Sequence, residues 1–151
     1  MQAWYGRAAH WGVVPLRLLV GYGFVQHGWA KFSRGADGFA GILQNLGVPL
    51  PHVAAWLTIG TEILGGLAFL LGAFVAWASI PMAVVLLTAM VTVHLPYGFS
   101  SVKLLAISPA GAQFGPVGYE VDLLYLAALL LFAVQGAGPL SVDQARRRRV
   151  T

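Results

Sequence analysis

The stretch LLVGYGFVQHGWAKF, Leu18 to Phe32, decides how the rest of the chain is read. It is apolar enough to enter a bilayer, yet it holds Gln26, His27 and Lys31, and Arg17 stands just before it. A spanning helix needs about 20 mostly apolar residues. Gly12 to Ala30 supplies them, with Pro15 acceptable in the opening turn. At about 100° per residue, Arg17, Gly21, Phe24, Gly28 and Lys31 share one face. Small residues on such a face let helices approach closely, so the two charges are expected to point into a helix bundle. His27 lies to one side of this stripe. Gln26 lies opposite Arg17 and faces lipid or another subunit.

The composition agrees with a membrane chain. Of 151 residues, 58% are hydrophobic and 9% charged, against about 25% charged in a soluble domain. The formal charge of +4 could suggest nucleic acid. Four of the nine basic residues, however, form one block, Arg146 to Arg149, after the last apolar run. Such a block marks the cytoplasmic side of a membrane helix and attracts anionic lipid. No cysteine is present, which excludes disulfides, thiol chemistry and cysteine-ligated clusters. No glycine-rich nucleotide motif is present either. The first apolar run, holding Arg17, Gln26 and His27, is expected to be retained as a helix and not cleaved as a signal.

Farther along the chain, Val53 to Thr92 is one apolar run with a single charge, Glu62. It is too long for one span and suits two, joined by a tight turn near Gly72 to Val75, with Pro81 early in the second. Tyr119 to Val134 supplies a fourth, stopped by GAGP from Gly136. The expectation is a single all-α integral membrane domain over 1–151. It is a four-helix bundle with spans at about 12–30, 53–73, 76–94 and 119–135 and a basic cytoplasmic tail at 144–151. Between the first two spans, Phe39, Ile42, Leu43 and Leu46 follow amphipathic helical spacing. GVPLP breaks this segment, which is expected to be a short helix in the membrane surface. The Gly-, Pro- and aromatic-rich segment from His94 to Glu120 is expected to be an ordered loop. Four spans put both termini on one side, and the arginine block with Arg7 places them in the cytoplasm of a bacterial-type inner membrane. Trp4, Trp11, Trp29 and Trp56 fit interfacial positions.

Glu62 falls near mid-membrane on a face with Thr58, Gly65, Gly66 and Phe69. An intramembrane carboxylate is costly unless paired or protonated, and it marks a functional site by default. Arg17 is its natural partner, and the two form either a structural ion pair between helices or part of a working site. At the outer level, His27 and Lys31 end the first helix, His94 ends the third, and Glu120 opens the fourth. Their common depth suggests a polar pocket. Asp122, in the same first turn, fits a dipole partner or solvated cap. Two histidines alone make a poor zinc site, and no pattern supports bis-histidine haem ligation, so no metal site is expected.

Several stretches together resemble the DoxX family of small four-helix membrane proteins. They are RLLVGYGFVQHGWAKF from Arg17, LGVPLP from Leu46, GTEILGGLAFLLG from Gly60, HLPYGF from His94 and GYEVDLLYLAALLLFAVQGAGPLSVD from Gly118. They run in family order from Arg17 to Asp143. The resemblance carries Arg17, Lys31, Glu62, Glu120 and Asp143 onto family motifs, and His94 onto the polar end of the third helix. The family takes its name from a subunit of a membrane thiosulfate:quinone oxidoreductase, so the resemblance implies a four-helix bundle and suggests quinone-linked redox work.

The expected function is a DoxX-like inner-membrane subunit serving a quinone-linked redox system through an outward-facing pocket. Glu62, His94 and Glu120 are its candidate catalytic groups, and His27, Lys31 and Tyr97 its candidate ligand-binding groups. Quinone is the expected cofactor, and no motif encodes another. The rival is a non-catalytic structural or assembly subunit of a larger membrane complex, with partner subunits or copies of itself. A small-molecule carrier is the third reading.

Overall fold

The computed structural model describes residues 2–150, with side chains from 10 to 148. The side chains of Trp4, Arg7 and Arg149 lie outside the described residues. The chain is predominantly helical. The helices are α1 (Gln2–Ser33), α2 (Ala36–Asn45), α3 (Pro51–Leu71), α4 (Val75–Ala89), α5 (Glu120–Gln135) and α6 (Val142–Val150). A hairpin of β1 (Leu104–Ser108) and β2 (Gly111–Phe114) separates α4 from α5.

Helix α1 begins well before the apolar run, so Pro15 lies inside it and not in its first turn. It packs along α3, and the contact is made by glycines. A Cβ on Gly21 would lie 2.8 Å from the Gly66 carbonyl oxygen, and one on Gly66 would lie 2.6 Å from that of Gly21. No other residue type fits there without moving a backbone. A Cβ on Gly28 would meet the Glu62 Cβ at 2.9 Å. These contacts fix an antiparallel register in which Gly21 is level with Gly66 and Gly28 with Glu62.

Helix α3 ends in a Schellman closure. The Ala73 amide donates to the Ala68 carbonyl (2.8 Å) and the Gly72 amide to that of Phe69 (3.1 Å), with Gly72 at φ +66°. The tight turn expected near Gly72 to Val75 is therefore present. Asp143, from the start of α6, accepts from the Phe74 and Val75 amides at 2.8 and 3.1 Å. This satisfies orphan donors at the start of α4. Arg146 lies 4.6 Å above the Phe74 ring. The tail is thus fastened to the α3–α4 turn.

The end of α4 is irregular. A π-helical turn, Met90–His94, and a 3-10 turn, Leu95–Tyr97, continue it. One π turn changes the direction in which following side chains leave the axis, and such turns cluster at functional sites. The connector to α5, expected as a loop, contains the hairpin instead. The signal was present in Ser108-Pro109-Ala110-Gly111, where proline suits the second position of a turn and Gly111 takes φ +118°.

The core runs between α1, α3, α4 and α5 and contains Val20, Phe24, Phe69, Met82, Leu129 and Phe132. Phe69 and Phe132 meet edge to face at 5.2 Å. Around it stands a belt of exposed apolar side chains, including Leu19, Leu64, Trp77, Val84, Leu130 and Val134. Extensive exposed apolar surface suits contact with lipid or with another protein. Among the described residues, Pro51–Leu71 and Val75–Tyr97 are long and apolar enough to cross a membrane. Helix α1 is longer but carries its four polar groups, and α5 has 16 residues.

Candidate functional site: two acid–base pairs on one cavity

Helices α3 and α4 touch beside their tight connection, where Gly65 admits the Met82 side chain. Farther from that turn a cavity of about 960 Å³ separates them. Phe24, Leu57, Ile80, Val84, Val85 and Val121 give it apolar walls. Phe39, Ile42 and Leu43 of α2, and Leu46 just after it, also line it. The apolar face read from the sequence of α2 is thus the face turned to the cavity, while Ala40 and Leu43 anchor the helix beside Ala55 of α3.

Two acid–base pairs border this space. Lys31 Nζ lies 2.7 Å from both carboxylate oxygens of Glu62 and 5.5 Å above the Phe39 ring. Glu62 is buried and Lys31 partly exposed. His94 Nδ1 lies 2.6 Å from Asp122 Oδ2, again with the acid buried and the base half-buried. An ionised carboxylate only accepts, so the network assigns the Nδ1 proton to His94 and leaves Nε2 as the ring's other polar atom. His27 and Tyr125 also line the cavity. Tyr125 packs edge to face on Phe24 at 5.7 Å, and its hydroxyl occupies the notch left by Gly23.

The cavity therefore brings together His27, Lys31, Glu62 and His94. It does not bring in Arg17, Glu120 or Tyr97. The expected Arg17–Glu62 ion pair is corrected, because each residue has another partner. The Arg17 guanidinium is buried and donates to the carbonyls of Ala137, Pro139 (3.1 Å) and Leu140 (2.9 Å). Helix register is the reason. Arg17 stands beside Gly72, ten residues from Glu62, or roughly 15 Å along the helix. Glu120 accepts from the Ser101 amide at 3.0 Å, and the Ser101 hydroxyl accepts from the Val121 amide at 3.3 Å. Glu120 thus fastens the connector to the start of α5. Tyr97 lies in the 3-10 turn, where its carbonyl accepts from Lys103.

Asp122, expected to be a cap or dipole partner, is the inward acid. Two residues along a helix is about 200° of rotation, so Glu120 and Asp122 cannot share a face. Asp122, Tyr125, Leu129 and Phe132 follow spacings of three and four and form the inward face of α5. That periodicity was available in the sequence and singles out Asp122.

Among the described residues no group of three or more metal-binding side chains occurs. The cavity's resources are two charge-assisted hydrogen-bonded pairs, further donors, and apolar walls. Such a site can hold a molecule with an apolar body and a polar head, and can exchange hydrogen bonds with that head.

Comparison with known proteins places these features in a family. The DoxX family model matches residues 12–95, which contain α2, α3, α4, both members of the Lys31–Glu62 pair and His94. A Haemophilus influenzae protein described as uncharacterized is 30% identical over 130 residues, covering 85% of this chain and 85% of the relative. A Mycobacterium tuberculosis protein described as an uncharacterized membrane protein is 29% identical over 146 residues, covering 92% of this chain and 83% of the relative. No solved structure matches the chain. The family match over more than half the chain, together with apolar helices long enough to span, establishes that the protein belongs to the DoxX family of membrane proteins.

Proposed function

We propose that the chain is an inner-membrane subunit serving a quinone-linked redox system, and that the cavity between α1, α3, α4 and α5 receives the quinone head. In this reading the four long helices form a membrane-spanning bundle, α2 lies at the outer membrane surface, and both termini are cytoplasmic. The carrying observation is the pairing of His94 with Asp122 and of Lys31 with Glu62 on the border of one apolar cavity. A quinone head is an apolar ring with two carbonyl acceptors. His94, His27 and Lys31 offer donors, and Phe24 with the aliphatic walls offers a surface for the ring. The outward-facing Leu57, Ile80 and Val84 at the α3–α4 gap suit entry of a lipophilic molecule from the bilayer.

The full chain purified in mild detergent is expected to retain extractable quinone, and His94→Ala is expected to lose it while remaining folded. A wild-type protein that carries no quinone and does not bind added quinone refutes the proposal.

A second reading, a non-catalytic assembly subunit, draws on a specific observation. Lys31 grips both oxygens of Glu62 and ties α1 to α3, which is what a structural lock requires. Co-purification of a stoichiometric protein partner, unaffected by His94→Ala, supports that reading.

A further inference from the structure

We propose that Glu62 and Asp122 set the charge specificity of the cavity, so that it admits uncharged lipophilic head groups and rejects carboxylates and phosphates. The inference deepens the quinone reading and rests on it only for the identity of the natural ligand.

The lining side chains include one ammonium, Lys31, two imidazoles, His27 and His94, and two carboxylates, Glu62 and Asp122. The ammonium is matched by Glu62 through two contacts of 2.7 Å. Any positive charge on His94 is matched by Asp122 at 2.6 Å. Two of the three ammonium protons point to Glu62, which leaves one donor on Lys31. A bilayer is full of amphipaths with apolar tails and anionic heads, and fatty acids or acidic phospholipids would suit the apolar walls as well as a quinone does. An arriving anion would face both carboxylates in a medium that screens poorly, and like-charge juxtaposition there is costly. An uncharged acceptor meets no such cost and can use the remaining Lys31 proton, the His94 ring or the Tyr125 hydroxyl. Glu62 and Asp122 therefore act by excluding the wrong ligand.

The two residues make separable contributions. Glu62 masks the lysine. Its replacement by glutamine keeps the shape and an acceptor but leaves the ammonium unmatched, which turns that site into a carboxylate receptor. Asp122 masks the imidazole in the same manner from α5.

The test measures binding of decylubiquinone and of dodecanoate, two probes of similar tail length, to the full-length protein in neutral detergent by calorimetry. Wild type is expected to prefer decylubiquinone by roughly tenfold or more. Glu62→Gln is expected to bind dodecanoate at least roughly tenfold more tightly than wild type does, while its decylubiquinone affinity changes far less. Asp122→Asn provides the same comparison at the second pair and serves if Glu62→Gln does not fold. A merely structural pair would weaken both ligands together and leave their ratio unchanged. Equal binding of the two probes by wild type, or an unchanged ratio in a folded variant, overturns the proposal. If decylubiquinone fails to bind but uncharged monoolein binds and dodecanoate does not, the quinone reading fails and charge selection stands.

Discussion

Lys31 and Glu62 meet in a two-pronged ion pair, with the ammonium 2.7 Å from each carboxylate oxygen. Gly28 makes this possible. It lies one turn before Lys31 and lets α1 approach until a Cβ there would clash with Glu62 and Ile63.

Lys31→Met is expected to lower stability by roughly 3–5 kcal/mol, because it leaves the buried Glu62 carboxylate without its partner. Lys31→Met combined with Glu62→Leu should recover most of that loss, since a buried ion pair can be exchanged for apolar contact at little cost. Thermal unfolding of the two variants in one detergent measures both effects. A single variant as stable as wild type shows that the pair does not hold α1 to α3.

Arg17 ties α1 to the segment after α5 through three carbonyls. Arg17→Ala strips three carbonyls, that of Ala137 buried and the other two partly so, of a charged donor and should cost about 3 kcal/mol. Arg17→Lys should recover less than half of it, because a single ammonium cannot reproduce the guanidinium fork. Yield and melting temperature of the three proteins distinguish the cases, and full rescue by lysine indicates that charge alone matters there.

Gly66 sets the α1–α3 separation. Gly66→Val places side-chain atoms against the Gly21 carbonyl and Val25, with an expected cost of about 1–3 kcal/mol. The melting temperature of the variant in the same detergent as wild type measures it. Gly60, which has open space around its Cβ direction, supplies the control. Gly60→Ala should be neutral or slightly stabilising.

Asp143 connects the tail to the start of α4 by accepting from two backbone amides. Asp143→Ala should cost about 1 kcal/mol, as loss of a helix cap does, and should expose the arginine-rich tail to protease. Limited proteolysis with mass mapping checks this. Unchanged cleavage of α6 contradicts a fastening role.

Helical character, membrane class and family were legible in the residues alone. These properties depend on local patterns: apolar runs of spanning length, small residues on one face of α1, and ordered motifs from Arg17 to Asp143. The sequence also drew attention to His27, Lys31, Glu62 and His94, which the structure brings to one cavity, because polar groups in apolar helices are conspicuous. What it did not determine was partnership. Arg17 and Glu62 looked like a pair because each lay on an inward face, but face is a property of one helix, whereas pairing depends on the register between two. The glycine contacts of Gly21 with Gly66 and of Gly28 with Glu62 set that register and moved Arg17 roughly 15 Å from Glu62. On α5 the periodicity of Asp122, Tyr125, Leu129 and Phe132 already singled out Asp122 over Glu120, but it did not say which residue Asp122 would meet. Only the packed structure, with its π turn at the end of α4, put the His94 imidazole against Asp122.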